Sequence, residues 1–294
     1  MNRLPALLAA FLLGNLALAG SAHAGVGTDD REVAKVVTFG GQCIGCELSG
    51  RKLINAQFNG ANFSNASLVG CDLRGSTFYG SVFAGANFTR ADLRGAQMTG
   101  AQFPGANFTE ARLDGLEAQS ANFTNTILVR ARFVGAEMTG AIFIGARMTS
   151  ADFHGADMPA ALLIKVDGTH ADFHNSEMPG ANLSGSRFTK ADFHRADLSG
   201  ATLTGAVFNG ADMHGVEFDG ANLRGADLSG AEGLKSEQLE DACTDSSTRL
   251  PKGVIGGKAC RRMHGAGAYQ PPAPPMPPKP PKAPGTRYVT TSRD

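Results

Sequence analysis

The sequence lacks the constellations on which catalysis usually rests. No Ser/His/Asp set, phosphate-cradling glycine loop or paired-carboxylate pocket can be picked out, which argues against the common enzyme classes. It lacks a second long apolar run, so nothing beyond the N-terminal stretch is long enough to span a membrane as a helix. It lacks net charge, with 27 Lys or Arg against 27 Asp or Glu. It also lacks a second pair to accompany Cys43-Ile44-Gly45-Cys46, which weakens a zinc or redox reading of that motif. Glu47, standing where a His would be needed, excludes c-type haem attachment.

What is present is a repeat with no insertion or deletion. From Leu48 to Leu228 every fifth residue is Leu, Phe or Met, and only Ala118 and Gly168 break the rule. Two residues before the central residue there is in general a small one, usually Ala, and two residues after it most often Gly. The unit reads A-[D/N/x]-[L/F/M]-x-G. Units this short bury their apolar residues only by stacking, so an unbroken run predicts one continuous solenoid.

The ends differ from the middle. Arg3, the apolar run Leu4–Leu18 and Ala22-His23-Ala24 read as a cleavable signal peptide over 1–24, giving an exported chain that is periplasmic in a Gram-negative cell and otherwise secreted. A segment over 25–42 is expected to cap the first coil. The repeats occupy 43–232, and a helical cap over 233–262 is expected to cover the last coil, with Ser236 as N-cap of a helix reaching about Ala242. Residues 263–294 are Pro-rich and basic and are expected to stay disordered. Nine Lys or Arg and one acidic residue lie from Arg249 onward, against 18 basic and 26 acidic before it. An acidic rod thus carries a basic tail, either a solubilising linker or a contact to an anionic envelope surface.

Units such as Ala61-Asn-Phe-Ser-Asn65, Ala91-Asp-Leu-Arg-Gly95 and Ala226-Asp-Leu-Ser-Gly230 resemble the pentapeptide repeat family. Gln42-Cys43-Ile44-Gly45-Cys46-Glu47-Leu48-Ser49-Gly50 looks like a common lead-in to such repeats, and Leu234 to Cys243 followed by Thr248-Arg-Leu-Pro251 like a common exit. The resemblance implies an all-β fold, a right-handed quadrilateral β-helix with four pentapeptides per coil. It brings no shared catalytic residues. Well-known members protect DNA gyrase by imitating DNA, a cytoplasmic target that an exported chain cannot reach, and no nucleic-acid partner is expected.

Four units per coil would stack residues twenty apart, and the core composition repeats at that period. Leu53, Leu73, Leu93 and Leu113 give way to Phe133, Phe153, Phe173 and Phe193, while Phe63 to Phe143 give way to Leu163 to Leu223 two units away. The exchange keeps the filled volume nearly constant. Ala118 and Gly168 are read as accommodated by large neighbours, Phe108 and Phe123 for the first, Phe153 and Phe173 for the second. About nine coils at strand spacing would give a rod on the order of 45 Å long. Cys43 falls on a central position, Cys46 and Cys71 on small inward ones. In an oxidising compartment Cys43 with Cys46 and Cys243 with Cys260 are disulfide candidates.

Outward columns hold the candidate sites. His154, His174, His194 and His214 form one ladder, flanked by Asp152, Asp172, Asp192 and Asp212. Such a ladder suits zinc, copper or nickel, or responds to acidification; duplication of a twenty-residue coil would also copy it without any role. No other cofactor is expected. Glu117, Glu137, Asp157, Glu177, Asp197 and Glu217 form an acidic column on the next face, either solvated or a dock for a basic partner, the chain's own tail included. Ile127, Val129, Val134, Ile142 and Ile144, extended by Leu162 and Ile164, form an apolar belt that suggests a contact surface, with self-association the favoured contact. The functional expectation is an exported, non-enzymatic structural or protein-interaction scaffold; the alternative is a metal-binding or acid-sensing envelope protein.

Overall fold

The computed structural model describes residues 41–260. The segment expected as a signal peptide, nearly all of the expected N-terminal cap segment and the Pro-rich stretch 263–294 lie outside the described residues.

Each five-residue unit builds the same local structure. The small residue and the central residue point inward, and nearly all are fully buried, from Phe58 and Ala61 through Leu228. The residue between them points out and forms a parallel bridge to the residue twenty positions on, an unbroken register from Gln42↔Asn62 to Asp212↔Glu232. Four units therefore separate one rung from the next. Around Phe58, its N–H donates to the Thr77 carbonyl at 2.7 Å, and the Thr77 N–H returns to the Ala56 carbonyl at 2.9 Å. Chain direction then changes through a turn in which the Ala61 N–H donates to the Phe58 carbonyl at 3.0 Å. The third residue of that turn has positive φ, 64° at Gly60, the requirement that places glycine there. Asparagine substitutes at several corners, such as Asn125 with φ 56°, because its short polar side chain tolerates the left-handed region.

The core is a set of ring and aliphatic stacks at rung spacing. Phe63–Phe83, Phe103–Phe123 and Phe123–Phe143 are parallel pairs with centroids 5.2, 5.2 and 5.1 Å apart. Phe133–Phe153 and Phe153–Phe173 continue on the other column at 4.7 and 5.1 Å. The hand-over is bridged by edge-to-face contacts of Phe133 with Phe123 and Phe143, at 6.3 and 6.4 Å, so the exchange leaves no gap.

The C-terminal end is closed by an irregular segment. A 3-10 helix over Ser236–Leu239 lays Leu239, fully buried, over the last coil. Ser236 is the first helical residue and not the N-cap: its hydroxyl accepts the Ile255 N–H at 2.9 Å, and the Gln238 side chain caps the Lys235 N–H at 2.8 Å instead. Cys243 then bridges Asn222 and pairs in parallel with Lys258, so the exposed edge is covered twice over. Disulfides join Cys43 to Cys46 and Cys243 to Cys260, marking the two ends of the described rod. Cys71 is free and buried. Among the described residues no helix is long and apolar enough to cross a membrane.

Candidate functional site

The outward aspartate of many units has a local task. In each of the four Ala-Asp-x-His units, the Asp Oδ1 accepts the N–H of its own histidine: Asp152 from His154 at 3.1 Å, Asp172 from His174 at 2.9 Å, Asp192 from His194 at 2.8 Å and Asp212 from His214 at 2.9 Å. Asn62, Asn87 and Asn107 do the same for Ser64, Thr89 and Thr109. This side-chain turn ties one side-chain oxygen to the backbone and so fixes the orientation of the group.

What neutralises that carboxylate changes along the rod. In the early coils it is arginine. Arg74 grips Asp72 with two bonds of 2.7 Å, and Arg94 grips Asp92 with bonds of 2.8 and 2.6 Å. The arginine hydrogen bonds hold both carboxyls below their ordinary pKa. Arg132 lies 3.3 Å from Asp114 and 3.8 Å from Asp152. Above that point histidine replaces arginine and no Lys or Arg lies within 4 Å of Asp172, Asp192 or Asp212 among the described residues. At Asp212 burial raises the carboxyl pKa, but the His214 N–H and the His214 ring, 2.6 Å away at Nδ1, outweigh it and leave the pKa lowered.

The imidazoles follow one another along the face, the first two pairs edge to face and the last tilted. Ring centroids are 4.9 Å apart for His154–His174, 5.1 Å for His174–His194 and 6.2 Å for His194–His214. The first three are half-buried and His214 is exposed. Within this ladder two sets bring one ligand atom from each member to within 4.8 Å of one another: His154, Asp172 and His174, and His194, Asp212 and His214. Asp152 and Asp192 stand outside these sets. His170 occupies a corner with φ 58° and does not join the ladder.

The other faces differ from expectation in one respect. The acidic column is continuous by bridging from Glu117 through Glu137, Asp157, Glu177 and Asp197 to Glu217, and no cation pairs with any of the six within 4 Å among the described residues. The apolar belt is less available than its outward positions suggest. Leu162 is only 8% exposed, and Ile127, Val129, Val134, Ile142, Ile144 and Ile164 are half-buried. Leu162 bridges Ile142 on one side and Asn182 on the other, so the rungs cover one another. Among the described residues the exposed large apolar side chains are Ile44, Ile54, Tyr79 and Ile255, toward the two ends.

Gly233 is a residue the reading of the sequence passed over. A Cβ there would stand 2.2 Å from His214 Nδ1, so glycine is what admits the last imidazole of the ladder. The signal was its occupation of a central position just past the regular run, where Leu, Phe or Met would be expected.

The family model for pentapeptide repeats matches in eight copies, over residues 42–80, 78–115, 119–155, 169–205 and 191–230. No curated relative matches in sequence. Among solved structures, HetL, a pentapeptide repeat protein involved in heterocyst differentiation regulation in the cyanobacterium Nostoc, is 29% identical. The match covers 79% of this chain and all of that one, with a TM-score of 0.39. Full-length QnrB1, a plasmid-mediated fluoroquinolone resistance protein, is 22% identical over 70% of this chain and 94% of its own, with a TM-score of 0.27. A repeat protein of the Arabidopsis thaliana thylakoid lumen is 28% identical over 41% of this chain and 69% of its own, with a TM-score of 0.26.

Proposed function

Because the chain belongs to the pentapeptide repeat family, we propose that it is an exported, non-enzymatic scaffold whose outer faces dock a basic polypeptide. The rod is read as a right-handed quadrilateral β-helix of about nine coils, which the twenty-residue register and strand spacing support. Central side chains fill the interior, so chemistry is confined to the outward columns. Export rests on the leader over 1–24, and it places the scaffold in the envelope or outside the cell.

The observation that carries the docking reading is the acidic column. Six carboxylates follow one another at rung spacing, roughly 4.8 Å, with no cation against them among the described residues. Like charges at that spacing repel, and a basic ligand relieves the repulsion. The occupant is a Lys/Arg-rich segment, supplied by another protein or by the chain's own tail after Cys260.

The test is fluorescence anisotropy with a labelled oligolysine peptide, comparing the mature protein with the triple variant Glu137→Gln, Glu177→Gln, Glu217→Gln. Binding that weakens at least tenfold in the variant and falls with salt is expected. Equal affinity for both proteins would overturn the reading.

A further inference from the structure

The Asp ladder of this rod is one structural device with two charge solutions. In the early coils each turn-forming Asp is neutralised by Arg, as at Asp72 with Arg74 and Asp92 with Arg94. From Asp172 upward the turn is unchanged, but the residue that supplied the cation is an imidazole. Asp172, Asp192, Asp212 and Glu232 then bridge one another in an uninterrupted acidic series. Carboxylates adjacent across a parallel pair repel, and no Lys or Arg lies within 4 Å of Asp172, Asp192 or Asp212 among the described residues. The missing positive charge and the arrival of four metal-ligating side chains coincide on the same rungs.

We propose that this face binds two borderline divalent cations of the zinc class, one held by His154, Asp172 and His174 and the other by His194, Asp212 and His214. The two sets share no residue and together use all four imidazoles. In each, ligand atoms already lie within 4.8 Å of one another. Tetrahedral zinc with bonds of about 2.0 Å needs ligands about 3.3 Å apart, a closure within reach of side-chain rotation at an open surface. Each ion draws one His from each of two successive coils and the Asp from the later coil, so it clips adjacent rungs together.

The chemistry of the donor set is consistent with this. Two neutral imidazoles and one carboxylate make the donor combination that leaves a fourth position to water. The Asp172 and Asp212 carboxylates are pre-aimed, since Oδ1 of each is held by a backbone N–H at 2.9 Å and the second oxygen is left for the ion. In the second set Nδ1 of His214 already contacts Asp212 Oδ1 at 2.6 Å, so these two ligands stand side by side. Asp152, outside the first set, has Arg132 3.8 Å away, and that arginine marks the lower limit of the metal-binding face. Gly233 marks the upper limit by making room for the His214 ring.

Calorimetric titration of the metal-free mature protein with zinc sulfate tests the proposal through stoichiometry. The wild-type protein is expected to bind two ions at micromolar affinity or better. His174→Ala and His194→Ala are each expected to bind one, and the double variant none. Asp172→Asn, which retains the turn-forming oxygen but loses the charge, is expected to weaken one site at least tenfold and leave the other intact. Its melting curve without metal serves as the check on folding. Absence of zinc binding by the wild-type protein, or one ion abolished by either single His variant, would overturn the two-site assignment. Neither outcome bears on the acidic column, which is probed by separate residues and a separate ligand.

Discussion

Both interruptions of the repeat are repaired two residues upstream. Ala118 takes a central position, and Leu116, fully buried, occupies the small position of the same unit. Gly168 takes another central position, and Val166, 2% exposed, fills its small position. The large and small members have in effect changed places, which conserves volume within the unit. At Gly168 the Phe188 ring, one coil on, moves into the vacated space, since a Cβ there would stand 2.5 Å from it. Phe188, itself packed edge to face on Phe173 with centroids 5.6 Å apart, is thus the ring nearest the space at Gly168. Restoring the consensus with Gly168→Leu is accordingly expected to destabilise the rod by about 1–3 kcal/mol through overpacking. The shift of the urea midpoint measures it, and a variant as stable as the wild type would show that the ring does not fill the space. Buried hydroxyls follow similar logic: Ser76 donates to the Leu53 carbonyl at 2.8 Å and Ser176 to the Phe173 carbonyl at 2.7 Å, so Ser replaces Ala without an orphaned polar atom. The buried Cys71 thiol also occupies a small position and donates to the Leu48 carbonyl at 2.9 Å, and burial pushes its pKa up to about 11. These compensations were present in the sequence but concealed by attention to the central position alone.

At the scale of elements, the C-terminal closure was the part least legible in advance. Five-residue periodicity ends near Ala231, and beyond it bridges fall at spacings of 21 and 22, Asn222↔Cys243 and Asp227↔Arg249. No period remains to be read there, and local propensity placed Ser236 one residue out of its role. The closure is organised by Asp245, whose Oδ1 accepts from the Gly225, Ser247 and Thr248 N–H groups at 3.2, 3.0 and 3.1 Å. The Ser247 hydroxyl, at 2.6 Å, is the foremost cause of its pKa falling from 3.8 to about 2. A carboxylate depressed in the folded state contributes stability that is present above the unfolded pKa and lost as pH falls through the folded one. Protection of the Gly225 and Thr248 amides is therefore expected to decline between about pH 4 and pH 2, followed by hydrogen exchange. In Asp245→Asn, which keeps the acceptor but cannot ionise, the decline attributable to this group should vanish. An unchanged acid profile in that variant would assign the transition to another carboxylate.

For the molecule as a whole, twenty-residue arithmetic put the Asp and acidic columns where the bridges run and the His column where successive rings meet, because one register runs the length of the repeats. It misjudged exposure. An outward residue in a solenoid is shielded by the residues one rung above and below, and long apolar side chains shield one another most. Leu162 between Ile142 and Asn182 is the result, an outward position that belongs energetically to the sheet. The belt around Ile142, Ile144, Leu162 and Ile164 therefore stabilises rungs, while Ile54, 46% exposed, contributes little. Leu162→Lys is expected to cost about 1–3 kcal/mol by placing a charge in a half-apolar stack, and Ile54→Lys to remain within about 0.5 kcal/mol of the wild type. Thermal melting, paired with sedimentation to read the association state, distinguishes the two roles. A belt that serves contact between copies would instead dissociate an oligomer on Leu162→Lys without lowering the melting point of the separated chain.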